Sequence, residues 1–222
     1  MHAVKTLLIS LLFFVLYECV QAQSFNSGKN RKTFKGLETQ FPHHGLGFKL
    51  GDPLAITYRF YVNQQFSFGI DFGAAASGLY NRYFRGKFDS YIHSDTFRTS
   101  DASIEYSSHK VKSDLVGEVK FVYHIDVTRL APGLQVFIGG GWEFKDTSID
   151  YVYAYRNGSI ENRPGMFRRK RLTMGPQLTT GIEYGYKKIP VTAFMEIEYY
   201  TDIQVDPGWH RFEGGVGLRY VF

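Results

Sequence analysis

From His44 to the last residue, apolar and polar positions alternate with period two, the spacing at which neighbouring side chains point to opposite faces of a sheet. Eight such runs succeed one another, and each predicts a strand. The first, about 44–51, sets Leu46, Phe48 and Leu50 against Gly47 and Lys49. The second, about 54–62, sets Leu54, Ile56, Tyr58, Phe60 and Val62 against Thr57, Arg59 and Tyr61. In the third, about 65–76, an unbroken row from Phe66 to Ala74 opposes Ser67, Gly69, Asp71 and Gly73. The fourth, about 114–125, carries Leu115, Val119, Phe121 and Tyr123 opposite Glu118, Lys120 and His124.

The fifth run, about 134–144, places Leu134, Val136, Ile138, Trp142 and Phe144 opposite Gln135, Phe137 and Glu143; Gly139, Gly140 and Gly141 predict a bend or bulge in its middle. The sixth, about 171–185, alternates Leu172, Met174, Leu178, Ile182 and Tyr184 with Thr173, Gln177, Thr179 and Glu183. Pro176 supplies no ladder donor and predicts a bulge or break there. The seventh, about 190–200, alternates Val191, Ala193, Met195, Ile197 and Tyr199 with Thr192, Phe194, Glu196 and Glu198. The eighth, about 211–222, sets Phe212, Val216, Leu218, Tyr220 and Phe222 against Glu213, Arg219 and Val221.

The connections have a parity. Links after the second, fourth and sixth runs are short, whereas those after the third and fifth are long, roughly Ser77 to Ser113 and Lys145 to Lys170. Asp52-Pro53 makes a very short first link, and Thr201 to His210 a moderate last one. Eight antiparallel strands, short turns on one side and two long loops on the other describe an all-β, up-and-down transmembrane barrel with both termini in the periplasm.

The N-terminus agrees. Lys5, an apolar run of 11 residues from Leu7 to Tyr17, and Val20-Gln21-Ala22 before Gln23 read as a signal peptide over 1–22, too short for a spanning helix. Cleavage after Ala22 removes Cys19, which follows Tyr17 and Glu18 and so is a poor acylation site; the mature chain then has no thiol chemistry. Residues 23–43, polar and rich in Lys29, Arg31, Lys32 and Lys35, read as a flexible periplasmic extension. Aromatic content of 17% with 23 Gly suits strands and tight turns.

Residues 44–222 resemble the small eight-stranded outer-membrane barrels typified by outer membrane proteins A and X. The likeness rests on the signal peptide, strand count, loop parity and the terminal Gly217-Leu218-Arg219-Tyr220-Val221-Phe222. It implies residence in a Gram-negative outer membrane as a monomer among lipids and lipopolysaccharide. It also implies an insertion signal at Val216, Leu218, Tyr220 and Phe222, read by the barrel-insertion machinery.

An eight-stranded barrel is wide enough for its own side chains or one small ligand, which disfavours a broad pore. The inward set holds Lys49, Arg59, Lys120 and Arg219 against Asp71, Glu118, Glu143, Glu183, Glu196, Glu198 and Glu213, and predicts a paired network. A narrow ion path or a small-ligand site is open to the same residues. Outward aromatics near strand ends, such as Tyr58, Trp142 and Tyr220, predict interfacial girdles.

From Lys145 to Arg171 there are seven Lys or Arg against three acids, including Arg168, Arg169, Lys170 and Arg171 at the base of the sixth strand. Guanidinium forks match phosphate oxygens, so this cluster is a candidate lipopolysaccharide site, with a solvated charge run as the alternative. By alternation only Arg168 and Lys170 face lipid. Tyr151, Tyr153 and Tyr155 before Asn157-Gly158 predict that strands five and six continue above the membrane as a hairpin. Tyr80, Tyr83, Phe84, Phe88 and Tyr91 in the other loop suit a protruding sheet or a binding surface for an extracellular partner.

Some barrels of this architecture modify lipid A, which makes an enzyme the main alternative, beside an accessory barrel of a transport or secretion apparatus. His93-Ser94-Asp95, Ser108-His109 and His210 near Glu213 are its candidate groups, but sequence neighbours on an extended chain face opposite ways. His43-His44 lacks the convergent spacing of a metal site. No catalytic residue, cofactor or metal is assigned, and a nucleic-acid role does not suit an exported barrel despite a pI of about 9.1.

Overall fold

The computed structural model describes residues 43–94, 103–157, 160–186 and 189–222. The expected signal peptide, and the expected extension except for His43, lie outside them. Eight strands close into one antiparallel barrel in chain order: β1 (His44–Asp52), β2 (Leu54–Tyr61), β3 (Phe66–Ala74), β4 (Ser103–Asp126), β5 (Leu134–Asn157), β6 (Ile160–Tyr186), β7 (Val191–Thr201) and β8 (His210–Val221). Closure is made by β1 on β8, where Leu46 pairs with Tyr220 and Lys49 with Gly217.

Burial is inverted relative to a protein that folds in water. Lys49, Arg59, Glu118, Lys120, Glu143, Glu196 and Arg219 are among the most buried side chains. The large apolar ones stand exposed, Ile56 at 65%, Phe121 at 56% and Leu178 at 64% among them. Hydrocarbon is the solvent that makes such a surface favourable, and a closed ladder leaves no backbone edge unpaired within it. The protein is therefore a transmembrane β-barrel of the outer-membrane type, with strands of 8 to 12 residues in β1, β2, β3, β7 and β8, matching the ~9–11 residues a tilted strand needs to cross.

Several expectations are corrected. The long third connection is not one loop. A 3-10 turn (Ser77–Tyr80) leads into a 14-residue helix, α1 (Asn81–Ser94), and β4 then begins at Ser103, well before the expected 114. The continuation of strands five and six expected from Tyr151, Tyr153 and Tyr155 is present: β5 runs on to Asn157 and β6 starts at Ile160, and with β4 they form a three-stranded sheet that rises above the barrel rim. Register slips occur at Tyr106/Ser108 and Val111/Ser113, whereas Gly139, Gly140 and Gly141 pair without interruption. Gly139 and Gly141 serve close approach instead: a Cβ on the first would collide with the Phe121 carbonyl oxygen and on the second with that of Val119, which only a residue without a side chain avoids. Pro176 makes no bulge against β5, where it pairs with Trp142; its effect is on the other side, where pairing with β7 stops at Gln177.

Candidate functional site

The lumen is layered. At mid-height two lysines share four carboxylates. Lys49 Nζ lies 3.3 Å from Asp71, 3.2 Å from Glu118, 2.9 Å from Glu196 and 3.1 Å from Glu198. Lys120 Nζ lies 2.6 Å from Asp71, 2.8 Å from Glu118 and 3.0 Å from Glu196, and also contacts Glu198. Strand register accounts for the convergence, since Asp71 sits directly across from Glu118 and Glu196 neighbours Glu198 two residues along β7. Like charges held this close need the lysines between them.

Below this box, Arg219 donates to Glu183 (3.2 Å) and to Thr57 (3.2 Å) and stacks over Phe194, while Tyr61 donates to Glu183. Arg59 lies 3.7 Å from Glu196 and faces the Phe137 ring. Above the box, Glu143 and Glu213 both pair with Arg211. Arg211, absent from the inward set expected from the sequence, falls on the same face of β8 as Glu213 and Arg219. Lys145 and Asp114, 3.8 Å apart and buried, extend the column, whereas the sequence pattern places the one in a loop and the other only at a strand start. All eleven residues of the inward set are buried; carboxylate oxygens of Glu118, Glu143 and Glu213 come within 4.8 Å of one another.

Over this column lies the outer mouth. Asp52 at the end of β1 accepts from Ala76 N–H (2.7 Å) and Tyr80 hydroxyl (3.0 Å), and Asp114 accepts from Ser77 N–H (2.9 Å), so two rim carboxylates hold the turn that starts α1. Phe84, Phe88 and Tyr91 then bury against Ile149 and Tyr151 on the inner face of the raised β5, with Phe167 stacked on Tyr151 at 5.2 Å. Tyr83 links three elements: Arg171 of β6 donates to its hydroxyl (2.6 Å), and that hydroxyl donates to Asp206 (2.9 Å) in the β7–β8 connection. Lys87 adds an ion pair to Asp206 at 2.7 Å. Against the burial that would raise it, these bonds hold the Asp206 carboxyl below its usual range, while burial pushes the Tyr83 phenol up.

The basic cluster divides. Arg168 and Lys170 are exposed, and Arg168 forms a two-pronged bond with Asp150 (2.6 and 3.1 Å) that holds that carboxyl below its ordinary range. Arg171 is only 4% exposed and belongs to the inner face with Tyr83. Arg169 sits 5.0 Å over the Tyr91 ring of α1. Half of the proposed lipopolysaccharide cluster therefore holds the helix, because it lies on the concave side of the sheet. The outward row Val216, Leu218, Tyr220 and Phe222 faces the lipid.

Among the enzyme candidates, the side chains of His93, Ser94 and Asp95 lie outside the described residues. His109 Nδ1 bonds to the Tyr106 hydroxyl (2.7 Å) and not to Ser108, and His210 Nδ1 meets Gly208 carbonyl (3.2 Å). A serine–histidine bond does occur between Ser67 and His124 (2.7 Å), but both are sealed inside the barrel wall. His43 Nδ1 and His44 Nδ1 meet Tyr61 carbonyl and Tyr58 hydroxyl, so the two rings do not converge.

No protein family matches the sequence, and no curated protein matches it. Solved structures similar in shape include Neisserial surface protein A, at 10% identity and a TM-score of 0.41 over 81% of this chain and 93% of that one. CarO of Acinetobacter baumannii has 11% identity and a TM-score of 0.36 over 82% and 98%. The CymD monoaromatic hydrocarbon channel has 11% identity and a TM-score of 0.32 over 85% of this chain and 58% of that one.

Proposed function

We propose that this outer-membrane barrel is a closed, non-enzymatic surface protein: a rigid stem whose raised sheet and helix form the part that meets the cell exterior. The observation that carries the reading is the seating of α1. Tyr80 before the helix and Tyr83 within it reach Asp52 of β1, Arg171 of β6 and Asp206 before β8, and Phe84, Phe88 and Tyr91 bury against β5, four strands from β1 around the ring, so the helix is tied across the mouth. Beneath it the buried ion pairs of Lys49 and Lys120 reach from β1 and β4 to carboxylates on β3 and β7, which supports a blocked lumen. Aromatic and aliphatic burial on one side of α1 is what a fixed plug needs, whereas a mobile loop would leave those rings wet. Arg168 and Lys170 are read as contacts to lipopolysaccharide phosphates, Val216, Leu218, Tyr220 and Phe222 as the insertion signal, and the barrel as a monomer. Planar-bilayer recordings of the purified protein are expected to give no large stable conductance. Steps of porin size in the intact protein overturn the closed reading.

A further inference from the structure

Between the first two turns of α1 and the raised edge of β4 lies an open cleft of about 410 Å³, lined by Asn81, Arg82, Arg85, Tyr106, Ser108 and His109. Its lining is all donors or hydroxyls, with no carboxylate among the described residues. Arg82 and Arg85 are exposed and meet no carboxylate among those residues; Arg85 rests 5.4 Å over the Tyr106 ring. The Tyr106 hydroxyl is bonded to His109 Nδ1 at 2.7 Å, and the imidazole is wedged against Phe84 and Tyr151 at 6.0 and 5.7 Å. Phenol is the natural donor to a neutral imidazole, which puts the ring proton on Nε2. That nitrogen is shielded from water and has no hydrogen-bond partner. An unpaired buried donor costs about 1–3 kcal/mol, so it marks a position where an acceptor belongs.

We infer that this cleft binds a phosphate group carried on a saccharide. Two guanidiniums, one of them steadied on an aromatic face, match the planar, multi-oxygen edge of a phosphate. A single phosphate fills only part of about 410 Å³, and Asn81, Ser108 and Tyr106 supply the amide and hydroxyls that sugar hydroxyls pair with. The cleft also has a height. Asp114 marks the rim, where its carbonyl accepts from Ala75 N–H; Ser108 is six residues further out, or about 20 Å along a strand and about 15 Å along the axis of a barrel whose strands tilt by ~35–45°. That is above the level of lipid headgroups and within reach of sugar phosphates, whether free in the medium or on the saccharide chains of the outer leaflet. The site is separate from Arg168 and Lys170 and stands whether or not the lumen conducts.

The test uses the full chain refolded in neutral detergent and titrated calorimetrically in phosphate-free buffer. Inorganic phosphate and glucose 6-phosphate should bind saturably, and glucose should not. Arg82→Gln with Arg85→Gln should weaken binding at least tenfold, and Ser108→Glu, which adds a carboxylate to the cleft, should do the same. Arg168→Gln with Lys170→Gln should leave it unchanged. Hydrogen exchange over α1 confirms that each variant is folded. Competition then names the source: displacement of glucose 6-phosphate by lipopolysaccharide but not by its dephosphorylated form places the saccharide on the membrane, and displacement by neither leaves it soluble; both keep the site. Absence of saturable phosphate binding, or wild-type affinity in the folded double-arginine variant, overturns it.

Discussion

The indole of Trp209 stacks on the phenol of Tyr83, ring centroids 4.4 Å apart and planes 23° from parallel, with Tyr80 meeting the same indole edge-on at 5.8 Å. This sandwich joins α1 to the connection before β8. Trp209→Ala should cost about 2 kcal/mol of local stability, read as faster amide exchange across 81–94 while the barrel's own thermal unfolding stays put. An equal loss in both would mean that the helix and barrel unfold as one unit.

Lys120 should be the costliest single lumen residue to remove. Lys120→Met leaves Asp71, Glu118, Glu196 and Glu198 sharing Lys49, with Arg59 reaching only Glu196, and breaking a buried network by deleting one partner costs about 3–5 kcal/mol. Urea unfolding in lipid vesicles measures it. A loss under 1 kcal/mol would show that water or protons replace the lysine freely.

The two halves of the basic cluster should separate by assay. Arg168→Gln with Lys170→Gln should reduce lipopolysaccharide co-purification without loosening α1. Arg171→Met, which removes the buried donor to Tyr83, should loosen α1 by about 1–3 kcal/mol and leave lipopolysaccharide retention alone.

Burial lowers the pKa of His109 from its usual 6.5. The folded ring thus binds fewer protons than the unfolded one as pH falls below 6.5, and stability rises with pH across that window. Protection of α1 should be full above about pH 7 and decline in acid, with Arg82 and Arg85 on α1 opposing the added charge and the phenols of Tyr106 and Tyr151 unable to neutralise it. His109→Gln should flatten the profile; an unchanged acid limb would assign it to other groups.

The barrel was legible because one variable, side-chain parity, decides both strand and face. Lys49, Asp71 and Glu198 are assigned to the interior by the alternation itself, for an ionised side chain between two apolar neighbours has only one face to take. The helix was not, since Tyr80, Phe84, Phe88 and Tyr91 were grouped by type. Their spacing of four, four and three is a helical stripe, masked by Gly86 and by aromatic residues of modest helix propensity. Arg171 shows the other limit: alternation turns it inward, but only the helix it holds explains why it is buried.

The single residue Pro53 between β1 and β2 gives the molecule a low side, while β5 continues eleven residues past its partner of Leu115, Asp146, or about 35 Å of strand. Seen from outside the cell, the protein therefore has a front and a back. On the proposed reading, in which the raised sheet faces the cell exterior, a large partner arriving from outside meets the tall side first, so residues 81–94, 103–113, 147–157 and 160–170 would carry that encounter while the junction of β1 and β2 sits lower.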